Sequence, residues 1–488
     1  MVIPPLVILA VGVVVVVGMI LLWRVNAFIA LMSAAIVVSL MAPGDIADKV
    51  ARVASAFGTA AGKIGVVIAM AAVIGQCMME SGAAERIVRV FLGLLGQKRG
   101  ATALAGSGYV LGIPVFFDTV FYLLVPLARS MHRRTGTSYL NYLMAITAGG
   151  ALTHNLVPPT PGPLTAAELL GVDIGTMIGM GVLVSLPGLL AGMAFSAWAD
   201  RRLQIPMREL EGEAQPPASA STEAPSGSLS GDPSGDRLPS LGWALAPIVL
   251  PVVLITANTV MTMIARDQTG AKNAAELLAQ AKAGSGVAQA AQWAALVGDA
   301  NLALMLSAGL AVWTLVRRRS HSAAQVAASV ESSLLSAGLI ILITAAGGAF
   351  GAMLNAAKIG PAIESAMGGG PGSRLAGLAL LGFAFVTSSL IKFAQGSSTV
   401  AVITTAGVLA AMLTPDAAIG FNRVYLATAV ASGALVGSWM NDSGFWIFCK
   451  MGGLTEVEAL KTWTPLLAIL GCVSMVTTVA LAMLLPMV

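Results

Sequence analysis

Apolar runs of about 17 to 25 residues, the length a helix needs to cross a hydrocarbon core, recur at 2–22, 26–42, 64–80, 176–198, 241–263, 301–316, 333–357 and 464–487. They predict an all-α, polytopic membrane protein. The alternating ten-residue pattern of an outer-membrane barrel is absent from the sequence.

Two apolar stretches far apart in the chain are interrupted by polar and helix-breaking residues in the same way: Ala148–Leu164 (AGGALTHNLVPPTPGPL) and Ala431–Ile447 (ASGALVGSWMNDSGFWI). Tyr142-Leu143 and Tyr425-Leu426 share one spacing with the Gly-Ala-Leu triplets at 150–152 and 433–435. A second pair, GIPVFFDTV (112–120) and FAQGSSTV (393–400), aligns Asp118-Thr119-Val120 with Ser398-Thr399-Val400. One duplicated unit is expected, with a re-entrant hairpin (101–126 and 376–413) and a broken transmembrane helix (139–170 and 424–450) in each copy. The breaks matter because an unsatisfied backbone N–H or C=O costs several kcal/mol in hydrocarbon, so irregular backbone survives at membrane depth only where protein or a wet cavity covers it. Paired breaks in corresponding positions of two halves point to the midplane substrate site of a secondary transporter.

Basic clusters at Lys98-Arg99, Arg129 with Arg133-Arg134, Arg201-Arg202 with Arg208, and Arg317–Arg319 are expected on the cytoplasmic side. Residues between Arg99 and Arg129 must then enter and return on one side, as a hairpin does. Counting crossings onward, the second copy starts at the cytoplasm near Glu331 and the first starts outside near Lys63, which makes the repeats inverted and puts both ends of the chain outside. Residues 1–22 lack a basic leading segment, and their first charge, Arg24, follows the apolar run, so an uncleaved first helix is expected. The segment 201–240 is rich in Pro, Ser, Gly, Ala and acidic residues, and reads as a disordered cytoplasmic linker. The alanine-rich 264–300 stretch reads as an extracytoplasmic insertion.

Composition narrows the class further. Of 488 residues, 57% are hydrophobic and 10% charged, which a soluble globular chain does not carry. The net charge of +4 sits at helix ends as a topology signal, so no nucleic-acid partner is expected. Cys77, Cys449 and Cys472 lack metal or disulfide spacing. No metal and no cofactor are expected.

The candidate chemistry lies at the breaks and tips. Four prolines within 158–163 end the first helix, since each removes an N–H and clashes with the preceding turn. A half-helix resuming at Pro161-Gly162 would offer free amides and a positive dipole end to an anion. Thr153, Asn155 and Thr160 add hydroxyl and amide groups, and His154 is either a proton carrier or a hydrogen-bonding residue. Asn441, Asp442, Ser443 and Gly444 supply the counterpart break. Asp118 and Asp442 each cost at least ~2.5–3.5 kcal/mol at the bilayer centre on insertion scales, which marks them as functional candidates, while a helix-capping role stays equally open. Thr119 follows Asp118, and Gly396, Ser397, Ser398 and Thr399 form a hydroxyl-rich tip. Lys392 balances an anionic substrate, pairs with an acidic residue, or snorkels to the interface. Glu80, Glu85, Arg86 and Arg89 are assigned to a membrane interface.

The strings GIPVFFD, THNLVPPTPGPLTAA, KFAQGSSTVAV and GSWMNDSGFW resemble the gluconate permease (GntP) family, over nearly the whole chain. The resemblance implies proton symport of gluconate or a related sugar acid or hydroxy acid across the bacterial inner membrane. Family carriers of D-serine, glycerate and other small carboxylates, and sodium coupling, are the alternatives. It also implies kinship with the ion transporter superfamily, in which a scaffold and a transport domain move as an elevator, usually in a homodimer. On that pattern 1–62 and 241–330 are scaffold with the insertion, 63–200 and 331–462 are the two repeats, and 463–488 is a final transmembrane helix. The substrate carboxylate is expected between Gly396–Thr399 and Thr160–Gly162, its hydroxyls read by Asn155, Asn441 and Ser443, with Asp118, His154 and Asp442 as proton carriers. Importing a monoanion against an inside-negative potential costs about 2.3 kcal/mol per 100 mV, which a co-transported proton cancels. An enzyme built on Ser107 and His154 is the rival from another class; no paired-acid, HExxH or CxxC motif accompanies those residues, and a duplicated site is foreign to such chemistry. A passive channel is the second rival.

Overall fold

The computed structural model describes residues 4–23, 25–96, 99–136, 138–208, 238–271, 274–319, 323–358, 374–413, 419–440 and 442–487. Among these the protein is all-helical: α1 Pro5–Leu21, α2 Ala27–Met41, α3 Asp48–Glu80, α4 Ala83–Leu95, α5 Gly100–Leu111, α6 Phe117–Thr135, α7 Tyr139–Leu156, α8 Pro161–Leu170, α9 Ile174–Leu203 and α10 Leu241–Thr269. There follow α11 Ala274–Lys282, α12 Gly286–Val297, α13 Ala300–Arg319, α14 Ala323–Ala356, α15 Arg374–Gln395, α16 Ser398–Met412, α17 Val424–Gly433, α18 Ser443–Met451 and α19 Glu456–Leu484. Seven of them, α3, α9, α10, α13, α14, α15 and α19, are long and apolar enough to cross a membrane.

Several helices outrun the apolar runs that announce them. The run at 464–487 belongs to a helix that starts at Glu456, where Thr455 accepts from the Glu458 amide and Glu458 from the Thr455 amide, a reciprocal capping box that fixes the first turn. The run at 64–80 is the second half of α3, which begins at Asp48. Most of the 201–240 linker, residues 209–237, lies outside the described residues.

The interruptions fall where the prolines and glycines require. α7 ends at Leu156, and after Val157–Thr160, with a cis Pro158–Pro159 peptide, α8 restarts with Pro161 in its first turn, where the missing N–H has no intrahelical acceptor to lose. The second stretch stops at Gly433 and restarts at Ser443. The pairs α5/α6 and α15/α16 are each joined by a short turn, 112–116 and 396–397. Gly396 at the second turn has φ 87°, in the left-handed region that costs a Cβ-bearing residue.

The segments exchange partners. α8, after the first break, packs on α16 of the second helix pair, and α18, after the second break, packs on α6 of the first. α7 and α17 are buried on nearly every face, as helices apolar all round must be. Two large apolar cores result among the described residues, one spanning α3, α6, α7, α9 and α19, the other α1, α2, α8 and α14–α17, with a small third one where α11 and α12 meet the end of α10. At one end of the bundle Arg129, 2% exposed, donates to Tyr139 Oη (2.9 Å) and the Arg208 carbonyl (2.7 Å), and Arg208 reaches Glu458 at 2.6 Å. Two of the basic positions used as topology signals, Arg129 and Arg208, thus meet at one face.

Helix pairs in each half approach to backbone contact. A Cβ on Gly149 would lie 2.1 Å from the Ala105 carbonyl oxygen, and one on Gly433 2.3 Å from that of Phe385. Neither neighbour is a flexible side chain, so α5 and α7 must separate. Gly149→Ala is expected to destabilise the protein by about 1–3 kcal/mol, the usual cost of overpacking. Thermal unfolding in detergent reads this, and an unchanged midpoint would show that the pair tolerates the separation.

Candidate functional site

A cavity of about 560 Å³ opens where the two helix pairs and the two breaks come together. Its wall is built from Asp118 and Thr119 at the start of α6, His154 and Asn155 at the end of α7, Gly396–Thr399 at the second turn, and Asp442–Gly444 at the start of α18. Three helices begin here. Phe116, Ser397 and Asp442 are the N-cap residues of α6, α16 and α18, and all three line the cavity. The first amides of a helix have no intrahelical acceptor, and the helix dipole places positive charge at that end. The site is therefore disposed toward an anion, by backbone more than by formal charge.

The formal charges are largely matched. Lys392, 1% exposed, places Nζ 2.5 Å from Asp442 Oδ2 and also donates to the Gly396 carbonyl. Asp442 Oδ1 accepts from the Gly444 amide at 3.0 Å, and Oδ2 from the Ser438 hydroxyl, which in turn accepts from Trp463 Nε1 at 2.7 Å. This chain ties the hydroxyl-rich tip to the second break and to α19. Lys392 lies behind the tip rather than on the cavity wall. Asp118 differs, since no hydrogen bond or ion pair to its carboxylate occurs among the described residues.

His154 lies edge-on to Phe116 with ring centroids 5.9 Å apart, and its Nδ1 is buried without a hydrogen-bond partner. Asn155 spends its side-chain N–H on the Ala151 carbonyl at 2.8 Å. Ser397 caps α16 by accepting from the Val400 amide (3.3 Å), whereas the hydroxyls of Ser398 and Thr399 take part in no hydrogen bond among the described residues. Ser443 and Gly444 complete the second break.

Other residues singled out from the sequence stand elsewhere. Thr153 is buried and bonds the Gly149 carbonyl at 3.2 Å. Thr160 bonds the Val157 carbonyl at 2.7 Å, and Pro161 and Gly162 are buried, with Gly162 against Val402 of α16. None of these four lines the cavity; the helix start that faces it from the first half is that of α6, not α8. Asn441 lies outside the described residues. The apolar wall, Leu339, Ile340 and Ile343 of α14 with Trp463 and Leu467 of α19, was not singled out, because nothing distinguishes these positions within ordinary apolar spans. Among the described residues no three His, Cys, Asp or Glu side chains gather to hold a metal.

The hydroxyls separate two roles. Ser398→Ala and Thr399→Val are each expected to weaken binding of an anion in the cavity about ten-fold, the effect of one hydrogen bond to a charged group, with little change in thermal stability. Ser397→Ala is expected to cost about 1 kcal/mol of stability through the lost cap. Carboxylate binding and thermal unfolding on the three variants check this; a stability loss confined to Ser398 or Thr399 would reverse the assignment.

Comparison with known proteins agrees with this architecture. The family model described as GntP family permease matches residues 4–484. The chain is 33% identical over 467 residues to the inner membrane permease YgbN of Escherichia coli, covering 94% of each chain. It is 31% identical over 475 residues to the gluconate permease of Pseudomonas aeruginosa, covering 96% of each. The fold is similar to the crystal structure of the Alcanivorax borkumensis YdaH transporter, with TM-score 0.58 and 15% identity over 99% of both chains. The cavity between paired helix breaks and the match over nearly the full length together establish that the chain belongs to the GntP permease family, as a multi-pass transporter of the bacterial inner membrane and not an enzyme.

Proposed function

We propose that the protein imports gluconate or a closely related sugar acid together with protons. The observation that carries this is the meeting of three helix N-termini, the Ser398 and Thr399 hydroxyls and the unpartnered Asp118 carboxylate in one cavity. The helix starts and hydroxyls suit a carboxylate and its polyol chain. The name of the Pseudomonas aeruginosa relative supports the substrate class.

Proton coupling follows from charge. Lys392 is matched by Asp442, so an arriving carboxylate meets Asp118 with no cation assigned to it. Two like charges at short range favour protonation of one of them, and the anion then enters with a proton on Asp118. His154 is the second candidate carrier. Asp442, held by Lys392, Ser438 and the Gly444 amide, serves chiefly to fix the tip and the break.

On this reading the two helix pairs and the two interrupted stretches form inverted repeats and the moving unit of an elevator, carried on a scaffold of the remaining long helices in a homodimer. The exchange of partners between α8 and α16 and between α18 and α6 supports a single rigid transport unit.

The test is uptake of labelled gluconate into proteoliposomes under an inward proton gradient, with and without sodium, and with unlabelled idonate, glycerate and D-serine as competitors. Saturable accumulation that an uncoupler abolishes and sugar acids compete is the expected result. Uptake indifferent to the uncoupler overturns the coupling; competition by D-serine or glycerate alone overturns the substrate class.

A further inference from the structure

A second carboxylate stands apart from the cavity, at the end of α3. Glu80 accepts from Gln76 Nε2 and from Ser329 Oγ of α14, each at 2.6 Å, and it enters none of the described ion pairs. The charged and titratable residues nearest to it in the chain and on the helix packed against it are Cys77 of α3, the α4 residues Glu85, Arg86 and Arg89, of which Arg89 is paired with Glu85, and Glu331 of α14, two residues beyond Ser329. This end of α3 lies beside Leu238, at the start of α10, and beside the first turns of α14, which follow Arg317–Arg319. The basic residues assign that end to the cytoplasm.

Between Glu80 and the large cavity is a smaller one of about 90 Å³, lined by Gln76, Phe116, Thr119, Ser332 and Ser333 among others. Phe116 and Thr119 line both cavities, so the two are separated by the thickness of one hairpin turn. At ~30 Å³ per water the smaller cavity has room for about three waters, and its hydroxyls and amide give them partners. A six-carbon acid does not fit. A compartment that excludes the substrate but admits water, lined on one side by Gln76, the hydrogen-bond partner of Glu80, and on the other by Thr119, which follows Asp118, suits only the smaller of the two species proposed to be carried.

We propose that Glu80 is the inner proton acceptor of the carrier, reached from Asp118 through water held between Thr119 and Gln76. The step balances: Asp118 gives its proton to a cavity water and becomes a carboxylate, the water passes a proton to the Glu80 carboxylate, and the Glu80 carboxylic acid loses it to cytoplasmic water. Gln76 and Ser329 act as positioning residues that hold Glu80 at the end of the cavity. The inference rests on the proton coupling proposed above.

The test compares two fluxes of labelled gluconate in proteoliposomes of the full-length chain: accumulation driven by a proton gradient, and counterflow with substrate on both sides at equal pH. The wild type is measured first; gradient-independent uptake there overturns the coupling and this path with it. With coupling present, Glu80→Gln is expected to lower gradient-driven accumulation about ten-fold more than counterflow, as loss of a proton-transfer group does, and Glu80→Asp is expected to recover part of the difference. Equal losses in both fluxes would make Glu80 a structural clamp between α3 and α14, and equal retention would place the proton elsewhere. Either result overturns the path while leaving the coupling intact.

Discussion

Lys392→Met is expected to be the most damaging single change in the transport region. It leaves Asp442, a half-buried carboxylate on the cavity wall beside Ser438, without its cation, and breaking even a fully buried pair from one side typically costs about 3–5 kcal/mol, which sets the upper bound here. It also frees the Gly396 carbonyl, so the tip that carries Ser398 and Thr399 loses its anchor to the second break. Asp442→Asn keeps one acceptor oxygen for the Gly444 amide but turns an NH2 group toward Ser438 and leaves the buried ammonium unmatched, so it is expected to lower stability as well. Combining the two removes both charges, and the double variant should be more stable than Lys392→Met alone, with a coupling of about 0.5–3 kcal/mol between the sites. Thermal unfolding of the four proteins in detergent measures this cycle. Additive losses would mean that the 2.5 Å contact contributes nothing as a pair.

On the proton coupling proposed above, Asp118→Asn is expected to have the largest effect on transport. The amide keeps the volume of the side chain at the start of α6 but cannot carry a proton in and release it. Gradient-driven accumulation should fall about a hundred-fold, the scale on which a positioned proton-transfer group acts, and the residual flux should no longer respond to external pH. Melting behaviour should change little, since no described side chain depends on the carboxylate. Initial uptake rates across a range of external pH check the claim. A variant that still accumulates substrate with the wild-type pH response would transfer the role to His154.

Physical reasons also explain how far the sequence could be read. Four prolines within 158–163 forbid a continuous helix whatever surrounds them, and the structure breaks at 157–160. Gly396 is equally local, since its φ of 87° is a property of the turn itself. Helix starts were less legible. α19 extends before its apolar run because the Thr455–Glu458 capping box sets its first turn, and α3, which has no side-chain cap, is held at its start by contacts of Lys49 and Arg52 with Ser39 of α2. The wall formed by Leu339, Ile340 and Ile343 left no trace in the sequence, as any apolar span offers such residues.

Lys392 shows the limit most clearly. An ammonium in an apolar segment must have an anionic partner or reach water, and the sequence leaves the substrate, a protein carboxylate and the interface all open. Only the packing of α15 against the segment before α18 brings Asp442 within 2.5 Å and decides for the carboxylate. The same holds for the helix starts. That α8 begins at Pro161 is written in the prolines, but the direction in which its amides point depends on its docking against α16, and the start that faces the cavity is that of α6. The sequence by itself determined an all-helical membrane transporter, its interrupted segments and most of the polar residues that meet at its centre, because backbone hydrogen bonding in lipid constrains each segment separately. Which of those residues touch one another, and so which charge is spent inside the protein and which is left for the transported species, only the tertiary structure decided, because the pairing depends on contacts between segments that are distant in the chain.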